Sequence, residues 1–510
     1  MTPSRNPISA ALDRLIAAFA DPRRRDRAAV CVLAVYCAVW SLYGAIAKGS
    51  QDIHFDMGEM VAWSRETGWG TPKHPPFGAW LVRAWFSVFP LADWAYYLFA
   101  MAVSTVALWI AWRLSRHYLD GDKPVVGLAL LTLVPFFNFH ALKFNANTVM
   151  IPLWAVATAL FLRSYETRRT GVAALAGVAA AAAMLGKYWS IVLLLGLGLA
   201  ALADRRRAAY FRSPAPWVTI AAGLAALTPH AIWLYAHDFT PFAYAMETHP
   251  GTLLESVQSG LSYITGAAAY VAVPVMLAAA AARPGVAALR DTLWPSTPER
   301  RLVLLAFVLP LVLPLVLAVA AHEVVTSLWA IASMTLLPVV LLSSPSIVIP
   351  AVAARRIVGI AIAFPLIALT LSPVIALVIH RQGVSNYATH YRGVAQAVET
   401  AWVQATPRPL WFVGSYNNLL YGVLFYLPDR VAPLEIVNPA VTPWIDESEV
   451  GRDGIALVCP AADTQCMQAL DRRAGQSPAA RRSEVEISRS YWGVADPPDR
   501  FVIAIVPPNQ

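Results

Sequence analysis

Charge is what this chain has least of. Only 14% of its 510 residues are Asp, Glu, Lys or Arg, against ~25% in a soluble globular chain. Hydrophobic residues make up 58% and mean hydropathy is +0.53. This shortage excludes a disordered protein, a coiled coil and an ordinary cytosolic enzyme. It also excludes a single-span receptor, because one ~20-residue helix cannot shift the average of so long a chain this far. There is no internal repeat, and no pair of broken helices in matching halves as many transporters show. No signal peptide is visible: the first apolar run is too long for one and reads as an uncleaved first span. Cysteine is scarce too, with four. Cys31 and Cys37 lie in an apolar run and read as inert packing residues. Cys459 and Cys466 lie seven apart in a polar tail. They can pair if the tail is outside the cytoplasm, but spacing does not prove it.

What is present is a series of apolar runs of span length, near 28–47, 93–112, 124–141, 147–162, 171–185, 188–203, 215–236, 261–282, 302–321, 324–343 and 357–379. They predict about 11–13 membrane helices, with a half-buried or interfacial helix around 77–91. Charge assigns the sides. With residues 1–27 in the cytoplasm, the cytoplasmic loops hold Arg113, Arg116 and Lys123; Arg163, Arg168 and Arg169; Arg205, Arg206, Arg207 and Arg212; Arg283, Arg290, Arg300 and Arg301; and Arg355 and Arg356. The short loops opposite hold only Lys143 and Lys187. That alternation is the positive-inside pattern, so the net +8 is read as membrane topology and not as nucleic-acid binding. The exception is the first outer loop, 48–92, with Lys48, Arg65, Lys73 and Arg83. Cations kept on the outer face call for a partner, and lipid phosphate is the obvious one.

The tail, 381–510, differs in kind. It has 11 Arg, no Lys and 13 acids, a net of −2. An amphipathic stretch, Tyr391 to Gln404, precedes a strand-like run at Leu410–Val413. A turn or helix cap follows at Gly414–Asn418, with later strand-like runs at Gly454–Val458 and Phe501–Val506. The expected architecture is a transmembrane domain over 28–380 followed by a small α/β domain of ~130 residues, large enough for its own core, outside the membrane.

The first outer loop is the most informative segment. Asp56 follows the first span and sits at or just above the membrane surface. Asp56-x-x-Glu59 fits a capping box that starts an interfacial helix. His74-Pro75-Pro76 fits a rigid turn with a solvated histidine. Further polar residues on the outer face are His230, His237, Asp238, Glu247, His249, His322 and Glu323. No pair has metal-ligand spacing; His322–Glu323, in a tight turn between spans, is the best functional candidate among them.

The loop as a whole resembles that of the family-39, protein-O-mannosyltransferase-type membrane glycosyltransferases of the GT-C fold. Bacterial members of that family include lipid A aminoarabinose transferases and galacturonosyltransferases of lipopolysaccharide. Asp56, Trp63-Ser64, His74-Pro75-Pro76 and Ala79-Trp80-Leu81 keep the family spacing, and Gly186-Lys187-Tyr188 is a second family element. The resemblance extends well over roughly 28–250. It implies a sugar transfer, with inversion, from a polyprenyl-phosphate donor to a lipid or glycan acceptor, such as lipid A or lipopolysaccharide core, on the periplasmic face of a bacterial inner membrane. Asp56 would be the catalytic carboxylate. Lys187, whose bland reading is a snorkelling interfacial lysine, would bind the donor phosphate with help from Arg65 or Lys143. Asn147, His322 and Glu323 would face acceptor or sugar. Trp63, His74, Pro75, Pro76 and Tyr188 would shape the loop over the site.

There are departures from the family pattern. Met57 stands where a Glu follows the Asp, Lys73 stands where an Asp precedes His-Pro-Pro, and Asn147 replaces a second acid. Asn is a weaker metal ligand, which puts assistance by a divalent metal in doubt, and no other cofactor is implied. Two rival readings are a protein O-mannosyltransferase and a polytopic lipid or solute transporter.

Overall fold

The structure is a computed structural model that describes residues 7–66, 68–248, 251–383 and 390–508. It resolves into two compact units that cut across chain order. One comprises Met1–Ser41, Trp69–Phe77 and Leu98–Leu369; the other comprises Leu42–Gly68, Gly78–Tyr97 and Thr370–Gln510.

The first unit is helical. Every apolar run expected to span carries helix, but among the described residues six helices have the length and composition for a crossing: Arg25–Ala47, Asp93–Tyr118, Ala215–Ala236, Leu253–Ala282, Pro298–Ala321 and Ala351–Gln382. The other five runs are shorter or broken. The run at 124–141 is the helix Lys123–Thr132 followed by a 3₁₀ turn, Pro135–Phe137. Pro135 removes a donor and holds Val134 extended. At 147–162 the helix starts only at Met150, because the Asn145 side chain captures the Asn147 and Thr148 backbone N–H groups at 2.9 and 3.1 Å. The run at 324–343 is a 3₁₀ helix, Ser327–Leu336, followed by the short α-helix Leu337–Leu342. Five of the six span-length helices extend beyond the expected runs. Leu253–Ala282, with 30 residues, is about 45 Å long, longer than a hydrocarbon core of ~30 Å.

Ion pairs within this unit join loops that the charge alternation put on one side. Arg116 meets Asp26, Arg206 meets Glu299 at 2.6 Å, and Arg355 meets Asp13 at 3.1 Å. Contacts join loops of the opposite side as well: the Gly251 N–H donates to the His322 carbonyl at 2.8 Å. Tight packing relies on small residues. A Cβ at Gly177 would lie 2.2 Å from the Thr219 carbonyl oxygen, so the alanine-rich helix Thr170–Gly186 lies directly on Ala215–Ala236.

The second unit contains a mixed sheet. Its strands are β1 (Phe412–Ser415), β2 (Ala432–Glu435), β3 (Ile455–Pro460) and β4 (Arg481–Ile487), with a side hairpin of β5 (Ser490–Tyr491) and β6 (Val494–Ala495), and finally β7 (Asp499–Val506). The order is β2-β1-β3-β7-β4; β1 runs parallel to β2 and β3, and β7 antiparallel to β3 and β4. Alternate residues of β1, β3 and β7 feed two cores. Val413, Val458 and Ile503 face one, with Tyr391, Trp402 and Leu420. Phe412, Leu457 and Val502 face the other, with Leu470 and Cys466. The expected amphipathic stretch is the helix Tyr391–Ala405. Cys459 and Cys466 are disulfide-bonded, with Cα atoms 5.7 Å apart. Cys37 is buried and unbonded; Cys31 is exposed.

Most of the first loop, outside Trp69–Phe77, is part of this unit. Its helix, Phe55–Ser64, places Phe55 and Ala62 in the same core as the tail strands. Gly58 makes the packing possible: a Cβ there would lie 2.6 Å from the Tyr421 carbonyl oxygen.

Candidate active site

Asp56 lies in the first turn of the loop helix, where the carboxylate is favoured by the positive end of the helix dipole. Its side chain is half-buried, 27% exposed. Asp56 is not the cap, which corrects the capping-box expectation. The cap is His54, whose Nδ1 accepts the Asp56 backbone N–H at 3.0 Å and lies 3.7 Å from Oδ1. Accepting through Nδ1 requires a neutral imidazole protonated on Nε2. Ser, Thr, Asp and Asn are the usual cap residues, so sequence reasoning passed over His54. Just before it, the Ile53 N–H donates to the Tyr426 hydroxyl at 3.0 Å. Burial, followed by the nearby carboxylates of Asp52 and Asp93, pushes that hydroxyl well above its ordinary pKa, so it stays neutral.

A buried charge network pins the same segment. Asp52, 1% exposed, pairs with Arg392 at 3.8 Å and with Arg489. Arg392 reaches Asp93 at 2.7 Å and lies over the Tyr426 ring at 4.7 Å. Burial alone would lower the Arg392 pKa; the carboxylates outweigh it and leave it raised.

Arg65, expected on the donor phosphate, is committed elsewhere. Its side chain is 8% exposed and lies 3.5 Å from Asp429. The guanidinium donates to the carbonyls of Leu424 at 2.8 Å, of Pro428 at 3.4 Å and of Val431. Burial pulls its pKa down to about 10 against the pull of Asp429. It ties the loop helix to the chain around Leu424–Val431. Trp63 is a buried member of the same helix.

The other expected residues belong to the first unit. Lys187 ends the helix Thr170–Gly186 in extended backbone. Its Nζ donates to Asn147 Oδ1 at 2.6 Å and lies 5.3 Å from the centre of the Trp329 ring. The structure therefore brings Lys187, expected on the donor phosphate, together with Asn147, expected toward acceptor or sugar, and adds Trp329, which no local pattern marks. Beside them the Tyr188 hydroxyl lies 3.0 Å from His230 Nε2, and His230 Nδ1 lies 2.6 Å from the Trp69 carbonyl oxygen. That carbonyl can only accept, so Nδ1 carries the proton and Nε2 accepts from Tyr188. Gly70 packs directly on Trp233, since a Cβ there would lie 2.3 Å from the ring. The His74 turn forms, with the Thr71 N–H and hydroxyl both donating to the His74 carbonyl, and Pro75 and Pro76 are buried behind it. Lys73 lies 5.4 Å from the centre of the Tyr244 ring.

Lys143 belongs to the turn before Met150; its carbonyl accepts from Thr148 Oγ1 at 3.2 Å. His322 is an exposed left-handed cap of the helix Pro298–Ala321, and Glu323 follows it with its N–H on the Ala318 carbonyl. His249 and the Glu247 side chain lie outside the described residues. Among the described residues no three His, Cys, Asp or Glu side chains gather to hold a metal ion.

The chain has the GT-C fold of multi-pass membrane glycosyltransferases. It superposes on ArnT from Cupriavidus metallidurans bound to undecaprenyl phosphate with a TM-score of 0.61, covering 93% of this chain and 97% of that one at 12% identity. The apo state of ArnT gives the same values. At that identity the likeness is one of fold. Residues 73–233 match the family described as dolichyl-phosphate-mannose-protein mannosyltransferase, which bears out the resemblance read from the loop. That segment holds His74, Asn147, Lys187 and His230; Asp56 precedes it. No curated protein matches the sequence.

Proposed function

We propose that this protein transfers a sugar, with inversion, from a polyprenyl-phosphate-linked donor to a lipid or glycan acceptor on the periplasmic face of a bacterial inner membrane, lipid A or lipopolysaccharide core being the acceptors we favour. The observation that carries the reading is Asp56, an accessible carboxylate fixed at a helix start by His54 and Tyr426, in a chain of ArnT-like fold. Asp56 takes the proton of the acceptor hydroxyl as its oxygen bonds to the anomeric carbon. The bond from that carbon to the phosphate oxygen breaks, and its electron pair leaves with the polyprenyl phosphate. That leaving group needs no acid, so one carboxylate suffices where a glycosidase uses two. Lys187, held by Asn147 and Trp329, is the proposed donor-phosphate ligand and offsets the charge that develops there. Lys143 is retained as a second, and His322 and Glu323 as acceptor contacts. The outward placing of the tail is supported by its disulfide, which belongs to an oxidising compartment, and by the loop charges.

Purified Asp56→Asn protein, assayed with a panel of polyprenyl-phosphate hexoses and pentoses, should lose roughly 10²–10⁴-fold in turnover while still binding donor. Near-normal turnover to a hydroxyl acceptor would sink the role of Asp56. The match over 73–233 also favours a second reading, a protein hydroxyl acceptor; a serine- and threonine-containing peptide in the same assay separates the two.

A further inference from the structure

The sheet of the second unit has a topological switch point that the transfer step does not use. From β1 the chain passes through the helix Asn417–Phe425 to β2 on one side; from β3 it passes through Thr464–Ala474 toward β4 on the other. The connections therefore diverge at the carboxyl ends of β1 and β3, where open α/β sheets bind ligands. A cavity of about 600 Å³ opens there, within the range of small-molecule sites. Its walls are Tyr416 and Asn418 after β1, Pro460 and Ala461 at the end of β3, and Asp499 and Arg500 at the start of β7.

We propose that this cavity binds a saccharide, the glycan part of the acceptor; the assignment to an acceptor rests on the transfer reading above. A pyranose offers hydroxyls around its rim and C–H groups on its faces. The cavity offers both complements. Asn418 supplies a donor and an acceptor, Asp499 accepts and Arg500 donates, while the Tyr416 and Pro460 rings are flat apolar surfaces. One carboxylate beside one guanidinium leaves the site without net charge, which suits hydroxyls better than a phosphate. The Asp499 side chain lies 3.3 Å from His390 and that of Arg500 3.7 Å from Glu484, yet they are 59% and 65% exposed and open to a ligand. The walls are fixed beforehand: the Tyr391 hydroxyl donates to the Asn418 carbonyl at 3.0 Å, and the Ala461 N–H to the Arg500 carbonyl at 2.8 Å.

The test is titration of the full chain in detergent with glucose, galactose, mannose, N-acetylglucosamine and lactose, followed by calorimetry or saturation-transfer NMR. At least one sugar should bind saturably. Asn418→Ala and Arg500→Ala should each weaken that sugar at least ~10-fold, with unchanged unfolding temperature, and Asp56→Asn should bind it normally. Binding by none of the sugars, or equal binding by the cavity variants and the unaltered protein, overturns the site and leaves the transfer reading standing. If Asp56→Asn keeps its turnover while the cavity variants lose the sugar, the transfer mechanism fails and the site stands.

Discussion

Two cations that the sequence pattern assigns to the outer face have opposite surroundings. Arg65 is surrounded by backbone carbonyls, with its side chain 8% exposed, whereas Lys187 is partly exposed and held by an amide oxygen and an aromatic ring. Their substitution should therefore read out differently. Arg65→Met should lower stability by about 3 kcal/mol, because it strips buried carbonyls of charged donors, and should leave the donor KM unchanged. Arg65→Lys should not rescue it, since a point charge cannot serve several carbonyls at once. Lys187→Gln should raise the donor KM at least ~10-fold with little change in unfolding temperature. Thermal unfolding and donor titration of both variants check the pair. The family resemblance marks Asp56 and Lys187 as candidates in the sequence because a short motif carries each. The surroundings of Arg65 were not legible there, because its acceptors lie some 360 positions away in the chain.

At the scale of elements, the loop helix Phe55–Ser64 depends on one absent side chain. Gly58→Ala places a methyl against the Tyr421 backbone, which cannot swing aside, so a loss of about 1–3 kcal/mol is expected. The helix must also shift, and it carries Asp56; a displacement of ~1 Å in a reacting group lowers turnover by about 10²-fold. Turnover measured well below the unfolding temperature separates the two effects. An unchanged rate would mean that the helix does not position the carboxylate. The apolar runs were read correctly as helices because burial in an apolar medium demands that the backbone satisfy itself. Their lengths were misread where a local competitor for the backbone, such as Pro135 or Asn145, decided the end.

For the whole molecule, most of the first loop and the tail form one unit although close to 290 residues separate them in the chain. Asp52 is central to that association, since its carboxylate is buried against Arg392 and Arg489. Asp52→Ala should cost about 3–5 kcal/mol, because it leaves two cations without their buried partner. The loss should appear as early proteolysis of the tail together with the first loop. If the tail alone became sensitive, the two would not share a cooperative unit.

The sequence by itself determined that the chain has many membrane helices and that its tail forms an α/β body, and it put forward Asp56 and Lys187 as candidates. The membrane character and the helices follow from composition, charge alternation and short-range periodicity, which are local quantities; the two candidates come from the family resemblance. Only the tertiary structure decided that His54 caps the Asp56 helix, that Tyr426 and the Asp52 network hold it, that Lys187 has Asn147 and Trp329 for company, and that the connections after β1 and β3 diverge around a cavity. Each of these depends on side chains brought together from distant positions, and a linear pattern does not encode which buried donor finds which acceptor.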